Sequence, residues 1–109
     1  PEAQAQVNKV TGRSYRRLNQ LILIAKQREL NSKSNEWVSK EQLEELGLKV
    51  KEKEFGTQLF SFKLKDKENS NLKEKVYSYY TVYNLEQLEQ INTRNFRHFN
   101  NPLFVSTAG

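Results

Sequence analysis

The apolar residues of this chain change their period partway along, and that change restricts it to one fold class. Leu18, Leu21, Ile22 and Ala25 recur at the i, i+3, i+4, i+7 spacing of one helix face, with Ile24 widening the stripe. The spacing predicts a helix over residues 16–30, closing near Asn31, and then a polar loop over residues 31–35. Ser39-Lys40-Glu41-Gln42 is a capping box, in which the Ser hydroxyl and the Gln amide satisfy each other's backbone N–H. The short helix it opens is expected to stop at Gly47, because glycine enters the left-handed conformation without steric penalty. From Leu48 the period is two. Leu48 and Val50 alternate with Lys49 and Lys51, and Phe60, Phe62 and Leu64 alternate with Ser61, Lys63 and Lys65. Val76 to Tyr83 is dense in β-branched and aromatic residues and predicts a third strand, reached through a polar hairpin loop from Asp66 to Asn71. Asn84-Leu85-Glu86-Gln87 resembles a second capping box, predicting a short helix with Leu85, Leu88 and Ile91 inward. Residues 1–10 show no pattern and are expected to fray, and residues 92–109 show no clear period. The expected architecture is α+β: a small antiparallel sheet of about three strands or more, flanked by helices, in a single domain.

A chain of 109 residues has no room for a second core. Its aromatic share of 11% lets a few large rings supply much of the buried area. Trp37 reads as a core anchor. Tyr77, Tyr79, Thr81 and Tyr83 share one face of the third predicted strand, and Val76, Ser78, Tyr80 and Val82 the other. One face must be core, so at least half of these rings are structural. With no cysteine, the chain can form no disulfide, thiol nucleophile or zinc knuckle. The run from Leu21 to Ala25 is far too short to span a bilayer, and no signal peptide precedes it, so a cytoplasmic location and no membrane partner are expected.

Catalytic chemistry finds little to work with. His98 is the sole histidine, and Asp66, the sole aspartate, sits in an expected turn. Glu41, Glu44 and Glu45 read as the solvated face of the second helix. No nucleophile–base pair and no glycine-rich phosphate loop stands out, so neither an enzyme nor a cofactor nor a metal site is expected. Positive charge is the stronger signal. The formal net charge is +5, and between Lys9 and Arg28 there are six basic residues and no acidic one. Arg13, Arg16 and Arg17 cluster where the first helix starts, a place where guanidinium groups and free backbone N–H groups can both meet phosphate. Tyr15 among them serves either as a stacking platform or as an apolar staple against the helix. Asn19 either contacts the ligand or fixes the turn. Lys49, Lys51 and Lys53 form a second basic set, which Lys63 and Lys65 would join on a paired strand. Its alternative is a plain polar sheet face.

Four blocks, in order, resemble the N-terminal domain of the antirestriction protein ArdC, a domain shared with TraC-type plasmid primases. Thr11-Gly12-Arg13-Ser14-Tyr15-Arg16-Arg17-Leu18-Asn19 is similar to the family's T-G-x-x-Y-x-G-x-N, and Trp37-Val38-Ser39 to its W-[LV]-[ST]. Val50-Lys51-Glu52-Lys53-Glu54-Phe55-Gly56-Thr57 resembles V-R-K-G-E-K-G-T, and Tyr80-Thr81-Val82-Tyr83-Asn84-Leu85-Glu86-Gln87 resembles the closing Y-x-V-F-N-x-E-Q. Arg17 and Lys53 stand where the family has glycine, and Phe55 where it has Lys. The first two changes add charge, which either strengthens phosphate contact or blocks a close backbone approach. The H-E-x-x-H of the metalloprotease half of full-length ArdC does not occur here.

The resemblance spans residues 11–91 and implies single-stranded DNA binding, with Arg13, Tyr15, Arg16, Arg17, Asn19, Lys49, Lys51 and Lys53 as the expected contacts. The expected role is a non-enzymatic DNA-binding protein of a plasmid or similar mobile element, accessory to replication or priming. Two alternatives are a protein-interaction subunit of a polymerase or primase, and an antirestriction effector that occludes DNA. Residues 92–109 carry the expected docking positions Phe96, Arg97, Phe99 and Phe104.

Overall fold

The computed structural model describes residues 4–68 and 71–91. In chain order these form β1 (Val7–Asn8), α1 (Arg17–Glu29), β2 (Glu36–Ser39), α2 (Lys40–Leu46), β3 (Leu48–Val50), β4 (Thr57–Asp66), β5 (Lys73–Asn84), a 3-10 turn (Leu85–Gln87) and β6 (Leu88–Gln90). The strands make a four-stranded sheet of order β1-β2-β5-β4 and a separate β3-β6 pair. The α+β expectation holds, with one addition: β1 runs parallel to β2, so the larger sheet is mixed. None of the described helices is long and apolar enough to cross a membrane.

Leu23 of α1, Trp37 of β2, Leu59 of β4 and Val82 of β5 are fully buried against one another. Burying such side chains contributes about 1.5–3 kcal/mol each. Tyr15, Ile22, Leu30 and Tyr80 pack around them. Trp37 is the anchor its sequence context suggests, and its indole N–H donates to Gln6 Oε1 at 2.7 Å. Gln6 is itself fully buried and donates through Nε2 to Gln27 Oε1. The expected fraying therefore does not extend to Gln6, Val7 and Asn8: Gln6 is buried between Trp37 and Gln27, and Val7–Asn8 pair with β2. A lone two-residue strand carries no readable periodicity, which is why the sequence conceals it.

The capping box at Ser39 forms, with its hydroxyl accepting from the Gln42 N–H and Gln42 Oε1 accepting from the Ser39 N–H. Gly47 closes α2 in the left-handed region at φ 67°. Because α2 starts at once, β2 is only four residues long and meets β5 over Val82–Asn84 alone. From Thr81 outward, the β4–β5 hairpin has no third strand among the described residues. Asn84 also caps as expected, but its turn lasts three residues and no helix follows. Leu88 turns extended and pairs with Val50, so pairing with β3 replaces the predicted helix. Lys49 lies opposite Glu89 in that pairing, and Lys63 and Lys65 lie on β4, in the other sheet. The basic strand face extending through Lys63 and Lys65 is thus not built. Phe96, Arg97, Phe99 and Phe104 lie outside the described residues.

Candidate nucleic-acid interface

The two capping boxes leave α1 as the helix without a cap. Arg16 holds its N-cap position with extended backbone and no side-chain hydrogen bond, and no acidic residue lies in its first turn. The first N–H groups of a helix carry partial positive charge when nothing accepts from them, and here three guanidinium groups add to it. Arg13, Arg16 and Arg17 form no ion pair among the described residues, whereas Lys9, Lys26, Lys49 and Lys73 each pair with a carboxylate.

Asn19, one turn in, ties α1 to the sheet. Its Nδ2 donates to the Phe60 carbonyl at 2.8 Å and its Oδ1 accepts from the Phe60 N–H at 3.3 Å. β4 is an edge strand, and this amide fills the ladder position that a further strand would occupy. Of the two roles open to Asn19, the structure shows the positioning one.

That junction opens a cleft of about 650 Å³ lined by residues 14–19, Phe60, Ser61, Phe62, Tyr77 and Tyr80. It gathers four of the expected contacts: Tyr15, Arg16, Arg17 and Asn19. Tyr15 is half-buried against the core, and its hydroxyl accepts a hydrogen bond from Asn8 Nδ2 at 3.1 Å. Burial raises its pKa, partly offset by the Asn8 hydrogen bond and reinforced by Tyr80. Burial raises the Tyr80 pKa as well. The ring is a packed wall of the cleft, closer to the staple reading than to a free platform. Arg13 stands apart on the turn between β1 and α1, with its carbonyl accepting from the Asn8 N–H.

Lys49, Lys51 and Lys53 are exposed, but none lines the cleft. Lys49 is 3.9 Å from Glu89, and Lys51 and Lys53 lie in the turn beyond β3. The two glycine replacements now have a conformational meaning. Arg17 sits at φ 48° and Lys53 at φ 68°, both left-handed, where an L-residue bears about 1–2 kcal/mol of strain. Gly56, which the chain keeps, meets a different demand. A Cβ there would overlap Thr81 Cγ2 and come within 2.9 Å of Tyr83 Cε1.

The positions that sequence reasoning missed lie on the outer hairpin. The register pairs Phe60 with Tyr79 and Phe62 with Tyr77, and directly opposed residues share a sheet face. Tyr79 is 69% exposed, Tyr77 54% and Phe62 53%, so this aromatic face is not core. The alternation of Phe60-Phe62 and Tyr77-Tyr79 was visible, but alternation alone does not say whether an apolar face is covered.

Two solved structures with this fold are those of antirestriction ArdC from plasmid R388. The metal-free form shares 26% identity at a TM-score of 0.67, over 82% of this chain and 34% of that one. The Mn(II)-bound form shares 24% at a TM-score of 0.66, over 83% and 36%. The chain thus spans about a third of the length of these ArdC chains. No curated protein matches it. Among the described residues, no group of three or more His, Cys, Asp or Glu side chains is placed to hold a metal ion. The family model for the N-terminal domain of anti-restriction factor ArdC matches residues 1–101, a span that takes in Phe96, Arg97 and Phe99 and stops short of Phe104. With that match over most of its length, the chain belongs to the family of ArdC N-terminal domains.

Proposed function

We propose that this chain is a non-enzymatic module that binds single-stranded DNA for a plasmid or similar mobile element. The observation that carries this reading is the cleft, where Arg16 and Arg17, without ion-pair partners among the described residues, line the same space as Phe62 and Tyr77. Unpaired guanidinium groups offer phosphate contacts without first breaking a salt bridge, and the rings offer flat faces to unpaired bases. A duplex, with its bases stacked inside, can use the first group and not the second. The solved relatives are named antirestriction proteins of a plasmid, which supports a role in a mobile element. Occlusion of DNA and assistance to a polymerase or primase both need this same surface.

Fluorescence anisotropy of a labelled single strand and its matched duplex, across a salt series, tests the reading. Single-strand preference is expected, with log affinity falling against log salt by about 0.7 per phosphate contact. Arg16→Ala with Arg17→Ala should weaken binding about tenfold or more and flatten that slope. Absence of binding at low salt would overturn the proposal and leave a protein-interaction subunit. Truncation after Ile91 would then show whether residues 92–109 carry the docking.

A further inference from the structure

We propose that the exposed aromatic face of the outer β4–β5 hairpin is a base-stacking platform, on which a single strand lays successive bases without regard to their identity. This rests on the single-strand reading above and assigns the bases a site separate from the phosphates. The rungs are Phe60 opposite Tyr79 and Phe62 opposite Tyr77, with ring centroids 6.4 and 5.9 Å apart. Successive rungs are two residues apart, which along a strand is about 6.6–6.8 Å. That is twice the ~3.4 Å rise per nucleotide of a stacked strand, so a strand drawn out to about 6.8 Å per nucleotide lays one flat base on each rung.

The charges on this face favour a nucleic acid over an apolar peptide or a second copy of the chain. Lys75, opposite Leu64 at the next rung, holds its ammonium 5.0 Å from the Phe62 ring centroid, a cation placed beside a stacking surface. The carboxylate of this face on the paired strands, Asp66, is taken up by Lys73. At the inner end, Phe60 lines the cleft that holds Arg16 and Arg17, together with Phe62 and Tyr77 of the outer rung. A backbone passing from the α1 N-terminus toward the hairpin tip thus meets cations at both ends of the ring ladder. Aromatic faces accept any base by stacking, so the platform predicts little sequence preference.

The test uses the full chain and three probes: a short oligothymidine, an abasic strand with the same number of phosphates, and a duplex. The intact protein should bind oligothymidine about tenfold or more tightly than the abasic strand. Tyr77→Ala with Tyr79→Ala should abolish that difference while leaving the salt slope unchanged, and Tyr77→Phe with Tyr79→Phe should retain it. Equal binding of the abasic strand, still lost on Arg16→Ala with Arg17→Ala, would overturn the platform and leave the single-strand reading intact. Concentration-dependent self-association abolished by Tyr77→Ala with Tyr79→Ala, without any nucleic-acid binding, would overturn both and make the face a contact between copies. Because these tyrosines are exposed, the variants should fold, and circular dichroism with a thermal melt checks that they do.

Discussion

The inner and outer halves of the β4–β5 hairpin place their apolar side chains on opposite faces of the sheet and have opposite fates. At the inner end, Leu59 and Val82 are fully buried beneath α1 and β2, and the loop before β4 brings Gly56 against Thr81 and Tyr83 on the other face. At the outer end, residues 61–66 and 73–79 are exposed on both faces, aromatic rings included. Apolarity alone cannot account for the difference, because Phe62 is as apolar as Leu59, yet the two lie on opposite faces of the sheet. What differs is the cover. β2 ends at Ser39, where the capping box starts α2, and Asn19 ties α1 to β4 no farther out than Phe60. A residue's burial here is decided by where its neighbours stop.

Substitution should separate the halves most sharply in stability. Leu59→Ala should lose about 2–5 kcal/mol in urea denaturation, since it empties a fully buried site. Phe62→Ala should stay within about 0.5 kcal/mol of the parent, as exposed substitutions do, while weakening the grip on single strands. Similar losses from the two would erase the distinction. Next in size is Gly56→Ala, expected to destabilise by about 1–3 kcal/mol, because its Cβ would press on Thr81 and Tyr83.

The boundary between the halves can be loosened by Asn19→Ala, which leaves the Phe60 N–H and carbonyl without their side-chain partner. A loss of about 1 kcal/mol is expected, with single-strand affinity falling in parallel as the cleft wall comes free. Arg17→Gly should act oppositely on the two properties. It relieves the left-handed strain and should raise stability by about 0.5–1 kcal/mol in urea denaturation, net of glycine's chain entropy, while weakening binding if Arg17 makes the proposed phosphate contact. A variant that gained stability and kept full affinity would dismiss Arg17 from the interface.

The smallest effect is alkaline. Burial raises the Tyr80 pKa above 10.0, so the folded state holds that proton more tightly than the unfolded chain. The stability this contributes is fully present below pH 10 and is lost as pH rises through the raised value. Urea midpoints across an alkaline series should therefore fall, and Tyr80→Phe should make the fall shallower.

Much of the local structure was legible because it obeys short-range rules. The extent of α1, the Ser39 box, the Gly47 stop and the three strands formed where period and capping chemistry put them. The predicted α1 stripe, however, is not the core face: Leu18, Leu21 and Ala25 are exposed and Leu23 is buried instead. The N-terminal basic turn was legible too, and the cleft gathers Arg16, Arg17, Tyr15 and Asn19 as a group. What escaped reading depends on distant partners. Gln6 is core because Trp37 and Gln27 satisfy its amide, and Leu88 is a strand residue because β3 lies beside it. Lys49 of β3 belongs to a sheet that does not include β4, so Lys63 and Lys65 never join it.

By itself, then, the sequence determined the first two helices, the three strands predicted from Leu48 onward, the two caps and the excess of positive charge at the first helix, because each follows from residues within a few positions of one another. Only the tertiary structure decided which alternating face is core and which is open. α1 covers the face of Leu59 and Tyr80, and among the described residues the loop at Gly56 reaches the opposite face at Thr81 and Tyr83, so the rings farther out stay open.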